Sequence, residues 1–192
     1  MVKYNIKRFI VCIVVTFIVG CGLSFLVRNL LSSGAISLWE MLMEGISFTA
    51  IISTFFVSVA WKWPIFKGWL IPIPDLNGKW TGWLKYEREG QERKRQFSAN
   101  IKQTLFSIII ELETKESSSR NFCGTFDIDK DKHLKDLIYS YMNEPKASLR
   151  DRSPIHYGTA RLSINEDNTL MKGEYWTSRQ TKGEMTLKKQ EK

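Results

Sequence analysis

Apolar positions run unbroken through the first part of this chain and alternate with polar ones through the rest. Phe9 to Val27 is a stretch of 19 residues without a charge, and Gly45 to Trp61 is a second of 17. At 1.5 Å per residue the first would span ~28 Å as a helix, close to the hydrocarbon thickness of a bilayer. The pattern predicts a transmembrane hairpin over residues 1–62, with helices at about 9–27 and 45–61. After Pro74 the period changes to two. Phe97, Ala99 and Ile101 share a face, as do Phe106, Ile108, Ile110 and Leu112, then Phe122, Gly124, Phe126 and Ile128. Leu137, Tyr139 and Tyr141 repeat the pattern, and Ala160, Leu162 and Ile164 follow it. Polar turn segments separate these runs, such as Arg88 to Gln91, Thr114 to Arg120, Asp127 to Asp131, Asn143 to Asp151 and Asn165 to Asn168. Strands are therefore expected at roughly 79–87, 93–103, 105–114, 121–128, 135–143, 156–164, 169–177 and 181–188.

Consecutive short strands joined by short turns form an antiparallel up-and-down sheet. About eight of them close into a barrel, which removes the sheet edges and leaves room for side chains or one small ligand. A two-sheet sandwich is the alternative. The expected organisation is the hairpin at 1–62, a proline-bearing linker at 63–75, an all-β barrel at 76–188 and a charged tail at 189–192.

Charge orients this picture. Of 28 Lys and Arg and 20 Asp and Glu, six basic and two acidic residues fall in the first 71, so half of the net +8 lies there. Lys3, Lys7 and Arg8 precede the first apolar run, and Lys62 and Lys67 follow the second. The positive-inside rule then places both termini and the barrel on the cytoplasmic side of the membrane. A basic excess that flanks apolar runs is an orientation signal and not a footprint for DNA or RNA. Ile18-Val19-Gly20-Cys21 fits a lipoprotein cleavage site, but the apolar run continues to Val27, where a mature lipoprotein turns polar. Neither expected span contains an Asp, Glu, Lys, Arg or His, so no proton relay or ion pathway is indicated. Gly20, Ser24, Thr54 and Ser58 give small-residue spacings suited to close helix packing, within one hairpin or between protomers.

No motif for catalysis, a cofactor or a metal stands out, and the chain reads as a non-enzyme. Cys12, Cys21 and Cys123 have no metal or disulfide spacing. His133 and His156 read as structural or surface residues, and Asp127 to Asp131 as a polar turn and not a calcium loop. What remains is a set of side chains that alternation places on the inner face near one rim. Tyr139, Tyr141 and Asn143 share one strand; Tyr175, Thr177 and Arg179 share another; Tyr86 ends the first. Such a set is either core aromatics with wet hydroxyls or a pocket offering stacking faces, donors and a guanidinium to a planar anion. Gly78, Trp80 and Gly82 are assigned to closing the fold.

Two apolar spans, a proline-marked linker, Leu76-Asn-Gly-Lys-Trp-Thr-Gly-Trp-Leu84 opening the barrel, and Gly173 to Arg179 followed by Thr181 to Leu187 closing it, together resemble the two-transmembrane, β-strand-rich effectors of bacterial CBASS antiphage defence. The resemblance covers nearly the whole chain. It implies a barrel that binds a cyclic oligonucleotide second messenger, a cyclic dinucleotide foremost, made by a partner synthase. It also implies a homo-oligomer on activation, action on membrane lipid and abortive infection. It assigns no pocket residues; those come from alternation. The competing expectations are a membrane-tethered, lipocalin-like carrier or sensor of lipid and a structural membrane scaffold.

Overall fold

The computed structural model describes residues 6–31, 37–88, 90–129 and 131–191. Lys3, Glu89, Lys130 and Lys192, used in the charge and turn assignments above, lie outside them. The chain divides into two compact units, one ending at Pro72 and one running from Ile73 to Lys192.

The first unit is built on two helices, α1 (Ile6–Leu30) and α2 (Leu38–Ser58), each long and apolar enough to cross a membrane. α2 begins seven residues before the expected start because the uncharged stretch is not the whole helix. Ser37 caps it in a capping box, its Oγ accepting from the Glu40 amide at 3.2 Å while Glu40 accepts from the Ser37 amide. The acidic residues then taken into the helix find partners on α1: Glu44 pairs with Arg28 and accepts from Ser24. At the other end α2 stops at Ser58 and the chain passes into short 3-10 turns at Ala60–Lys62 and Pro64–Phe66. Gly20 and Gly45 lie at the helix–helix contact: a Cβ on Gly20 would meet Phe48 at 2.8 Å, and one on Gly45 would meet the Cys21 sulfur at 2.5 Å. These small residues serve packing inside one hairpin. Phe55, Phe56, Trp63, Phe66 and Trp69 form a run of ring contacts at the end of α2.

The second unit is a closed antiparallel barrel in sequence order, β1 (Gly78–Arg88), β2 (Gln91–Gln103), β3 (Ile108–Glu113), β4 (Ser117–Asp129), β5 (Leu134–Pro145), β6 (His156–Ile164), β7 (Leu170–Thr177) and β8 (Lys182–Lys189). β1 pairs with β8 from Trp80↔Lys189 to Tyr86↔Gly183, and this seam closes the cylinder. All eight expected strands are present. Two inward assignments are corrected. Phe106 falls in the β2–β3 turn and is exposed, while its neighbour Leu105 is buried in its place. Phe122 is thrown outward by a bulge between Asn121 and Cys123, which shifts the register against β5 by one residue. A bulge adds one residue without a partner and so inverts the alternation across it.

The two ends of the barrel differ. At the end where the chain enters, Leu76 and Trp80 are wholly buried, and the Trp80 indole donates to the Leu76 carbonyl at 2.9 Å. The buried Gln103 side chain accepts from the Leu76 amide at 2.9 Å and donates to the Pro74 carbonyl at 3.0 Å. Asn77 completes the seal by accepting from the Gln103 amide. Ile101, Leu105, Leu137, Leu162, Met171 and Leu187 fill the interior beside it. Each such side chain contributes ~1.5–3 kcal/mol by leaving water.

Gly78 opens β1 at φ +125°, a conformation suited to glycine. Gly82 lies on the closure seam, and a Cβ there would stand 2.1 Å from the Thr186 carbonyl oxygen and 2.7 Å from the Phe97 ring. Backbone oxygen cannot yield as a side chain can. Gly82→Ala should therefore part β1 from β8 and lower stability by on the order of 3 kcal/mol. Denaturant unfolding of the full chain in detergent checks this, and a change under about 0.5 kcal/mol would show the seam to be adaptable.

Candidate functional site

The turns opposite the sealed end are β1–β2, β3–β4, β5–β6 and β7–β8, and the interior there is open. A cavity of about 410 Å3 occupies this mouth. That is within the usual range for a small-molecule site. All seven side chains selected by alternation line it: Tyr86 from β1, Tyr139, Tyr141 and Asn143 from β5, Tyr175 and Thr177 from β7, and Arg179 from the β7–β8 turn.

The floor is aromatic. Tyr139 and Tyr141, two apart on β5, have ring centroids 5.8 Å apart with tilted planes. The Tyr139 hydroxyl points to the Met185 sulfur at 3.5 Å. The Tyr141 hydroxyl end occupies space that exists because residue 158 on β6 is glycine: a Cβ there would be 2.5 Å from its oxygen. Burial pushes the phenols of Tyr139 and Tyr141 well above their ordinary range, with each one's neighbouring tyrosine adding to the effect. Burial, then Tyr86, pushes Tyr175 up to about 12, with Arg95 acting weakly the other way. These hydroxyls are therefore neutral donors at physiological pH.

The wall above them is charged. Arg93 and Arg95 of β2, Arg152 of the β5–β6 segment and Arg179 line the cavity, with Glu87 and Glu116 as the acidic members. Arg95 pairs with Glu116 at 2.9 Å, Arg152 approaches the same carboxylate at 3.4 Å, and Arg179 donates to the Ser153 hydroxyl at 2.8 Å. His156, read from sequence as structural or surface, also lines the mouth, its Nδ1 2.9 Å from the Pro154 carbonyl. The sequence reading missed Arg93, Arg95, Arg152 and Glu116. β2 begins Gln-Glu-Arg-Lys-Arg, where every side chain is polar and alternation gives no inside or outside. The registers Tyr86↔Arg93 and Leu84↔Arg95 carry the signal, because inward partners pair with inward residues.

The arrangement offers aromatic faces, neutral hydroxyl donors and several guanidinium groups around one opening. Guanidinium forks match phosphate oxygens, and tyrosine rings match planar bases. A fatty acid would want an unbroken apolar lining, which this mouth lacks.

The raised phenol values have a consequence for stability. A tyrosine whose folded value lies above the unfolded value of ~10 retains its proton in the barrel after the unfolded chain has lost it. Its contribution is complete below about pH 10 and falls as pH rises toward 12. Denaturant midpoints measured at a series of alkaline pH values should be level up to pH ~10 and then decline, and Tyr141→Phe should lessen the decline. An equal decline in both proteins would remove Tyr141 as a source.

Comparison with known proteins places the chain in a family. Residues 71–189 match the family model described as Cap15, cyclic dinucleotide receptor domain. The chain is also 33% identical over 158 residues to the CD-NTase-associated protein 15 of Staphylococcus schleiferi, an alignment that takes in 80% of this chain and 84% of the relative. The family model covers the whole barrel, and the alignment with the relative extends beyond it into the helical part. The chain belongs to the Cap15 family of CBASS effectors.

Proposed function

We propose that this protein is a cyclic-dinucleotide-gated membrane effector of antiphage immunity. The mouth of the barrel takes up the signal, with Tyr86, Tyr139, Tyr141 and Tyr175 against the bases and Arg95, Arg152 and Arg179 toward the phosphates. Asn143 and Thr177 supply further polar contacts. The site holds and senses its ligand and carries out no reaction. The observation that supports this reading is the joining of neutral tyrosines to a group of arginines at the open end of a barrel of this family.

In this reading both termini and the barrel are cytoplasmic, the two helices span the inner membrane, and the signal comes from a partner nucleotidyltransferase. Two helices cannot enclose a pore, so membrane disruption requires several protomers. A coupling of ~1–3 kcal/mol between ligand binding and self-association is sufficient, because it acts at every protomer of the assembly. Killing of the infected cell follows from the loss of the membrane barrier.

Titration calorimetry of the full chain in detergent micelles tests the site, using cyclic di- and trinucleotides with fatty acids as the rival ligands. Arg179→Ala should weaken cyclic dinucleotide binding roughly ten- to a hundredfold, the range for a lost charged hydrogen bond. Tyr141→Phe should weaken it about three- to tenfold. Wild-type affinity in both variants removes these residues from the site, and binding of fatty acids alone favours the lipid carrier.

A second expectation concerns the segment from Lys62 to Pro74, which contains Pro64, Pro72 and Pro74. A flexible Gly/Ser insert after Pro72 should leave ligand affinity unchanged and reduce signal-dependent killing in cells. Undiminished killing would show that this segment passes on no orientation.

A further inference from the structure

Glu116 is held in place from both sides of the mouth. Its amide donates to the Thr114 hydroxyl at 3.1 Å within the β3–β4 turn, and its carbonyl accepts from the Lys146 amide at 2.9 Å. Its carboxylate is thereby presented to two guanidinium groups from different elements, Arg95 on β2 at 2.9 Å and Arg152 in the β5–β6 segment at 3.4 Å. Arg179 differs, since its partner is the uncharged hydroxyl of Ser153. The mouth thus contains one anion position already filled by the protein's own carboxylate and one served by a neutral group.

We propose that Glu116 is a built-in competitor for one phosphate of the ligand and so sets the concentration at which the site responds. This rests on reading the cavity as a cyclic dinucleotide site. A ligand with a single phosphate gains Arg179 and leaves Glu116 where it is. A ligand with a second phosphate gains Arg95 and Arg152 only by displacing the carboxylate, which exchanges one anion for another at the same cations. The net gain from the second phosphate is therefore small in this protein and grows when the carboxylate is neutralised. Exchange at Arg152 also frees it from the β3–β4 turn, so the β5–β6 segment registers that a two-phosphate ligand has arrived.

Glu116→Gln, in the full chain in detergent micelles, tests this with three probes: cyclic dinucleotides, a nucleoside monophosphate and inorganic pyrophosphate. The thermal midpoint without ligand should stay close to that of the wild type, because the backbone bonds of the turn do not involve the carboxylate. Affinity for the cyclic dinucleotide that the wild type binds, and for pyrophosphate, should rise about five- to tenfold, the scale of two partly exposed ion pairs. The gain should be clearly smaller for the monophosphate and should shrink with added salt. Glu116→Asp keeps the charge and should stay within about twofold of the wild type. Unchanged or weaker binding of both cyclic dinucleotide and pyrophosphate in Glu116→Gln overturns the proposal. If the wild type binds no cyclic dinucleotide, the functional reading falls, and the pyrophosphate comparison still decides whether Glu116 competes for the mouth arginines.

Discussion

An eight-stranded cylinder has room inside for one packed layer of side chains or one small ligand, and which of these it holds is set at its ends. Here the controlling contact is the seal made by Trp80, Leu76 and Gln103. The indole is wholly buried and its N–H is satisfied by the Leu76 carbonyl, so a tryptophan of β1 sits inward without an orphaned donor. Gln103 bonds the entering chain through both side-chain atoms, which fixes the segment before β1 across that end. With one end closed, apolar bulk can be concentrated there, and the opposite end need not be filled. The cavity is a consequence of where the core was placed.

That division explains how polar residues can occupy a barrel interior at small cost. The tyrosines lie between the packed end and the mouth and line the cavity, the Tyr139 hydroxyl meeting the Met185 sulfur and the Tyr141 hydroxyl the space left by Gly158, positions that suit an amphipathic ring. A phenol is already neutral at physiological pH and burial moves its ionisation further away, so the tyrosines add donors without adding charge. The arginines sit farther out, where partial exposure to water lessens the cost of a charged group. The site therefore grades from neutral and aromatic to cationic and wet over the length of a few residues on each strand. A ligand with planar bases and anionic linkers has the same gradation in its own structure.

Much of this could be read from the chain. The change of period after Pro74 marked the barrel, and alternation on β5 and β7 was enough to bring Tyr139, Tyr141, Asn143, Tyr175, Thr177 and Arg179 to one opening. What escaped has physical reasons. The bulge at Phe122 turns that side chain outward, and no composition signal announces an inserted residue within a strand. α2 extends past Glu40 and Glu44 because Arg28 and Ser24 on α1 meet Glu44, a tertiary contact that a count of uncharged residues cannot anticipate. Arg152 and Glu116 lie in connecting segments, which have no period, and only the folded barrel brings them within reach of Arg95.

The charged wall and the aromatic floor are fixed by different parts of the chain. The floor is specified by strand registers, and each tyrosine's place follows from its neighbours along and across the sheet. The wall depends on turns as well as on β2: Arg95 and Arg152 share Glu116, and Arg179 is bonded to Ser153, before any ligand arrives. A receptor built this way has a rigid part that recognises shape and an exchangeable part that recognises charge. In the proposed function, entry of an anion would leave the floor as it is and redistribute the bonds of the wall. Those bonds link β2, the β3–β4 turn, the β5–β6 segment and the β7–β8 turn, so in the proposed function occupancy would be converted into a change at the rim. In the proposed effector that is where the information is needed, since a hairpin of two helices cannot enclose a pore alone.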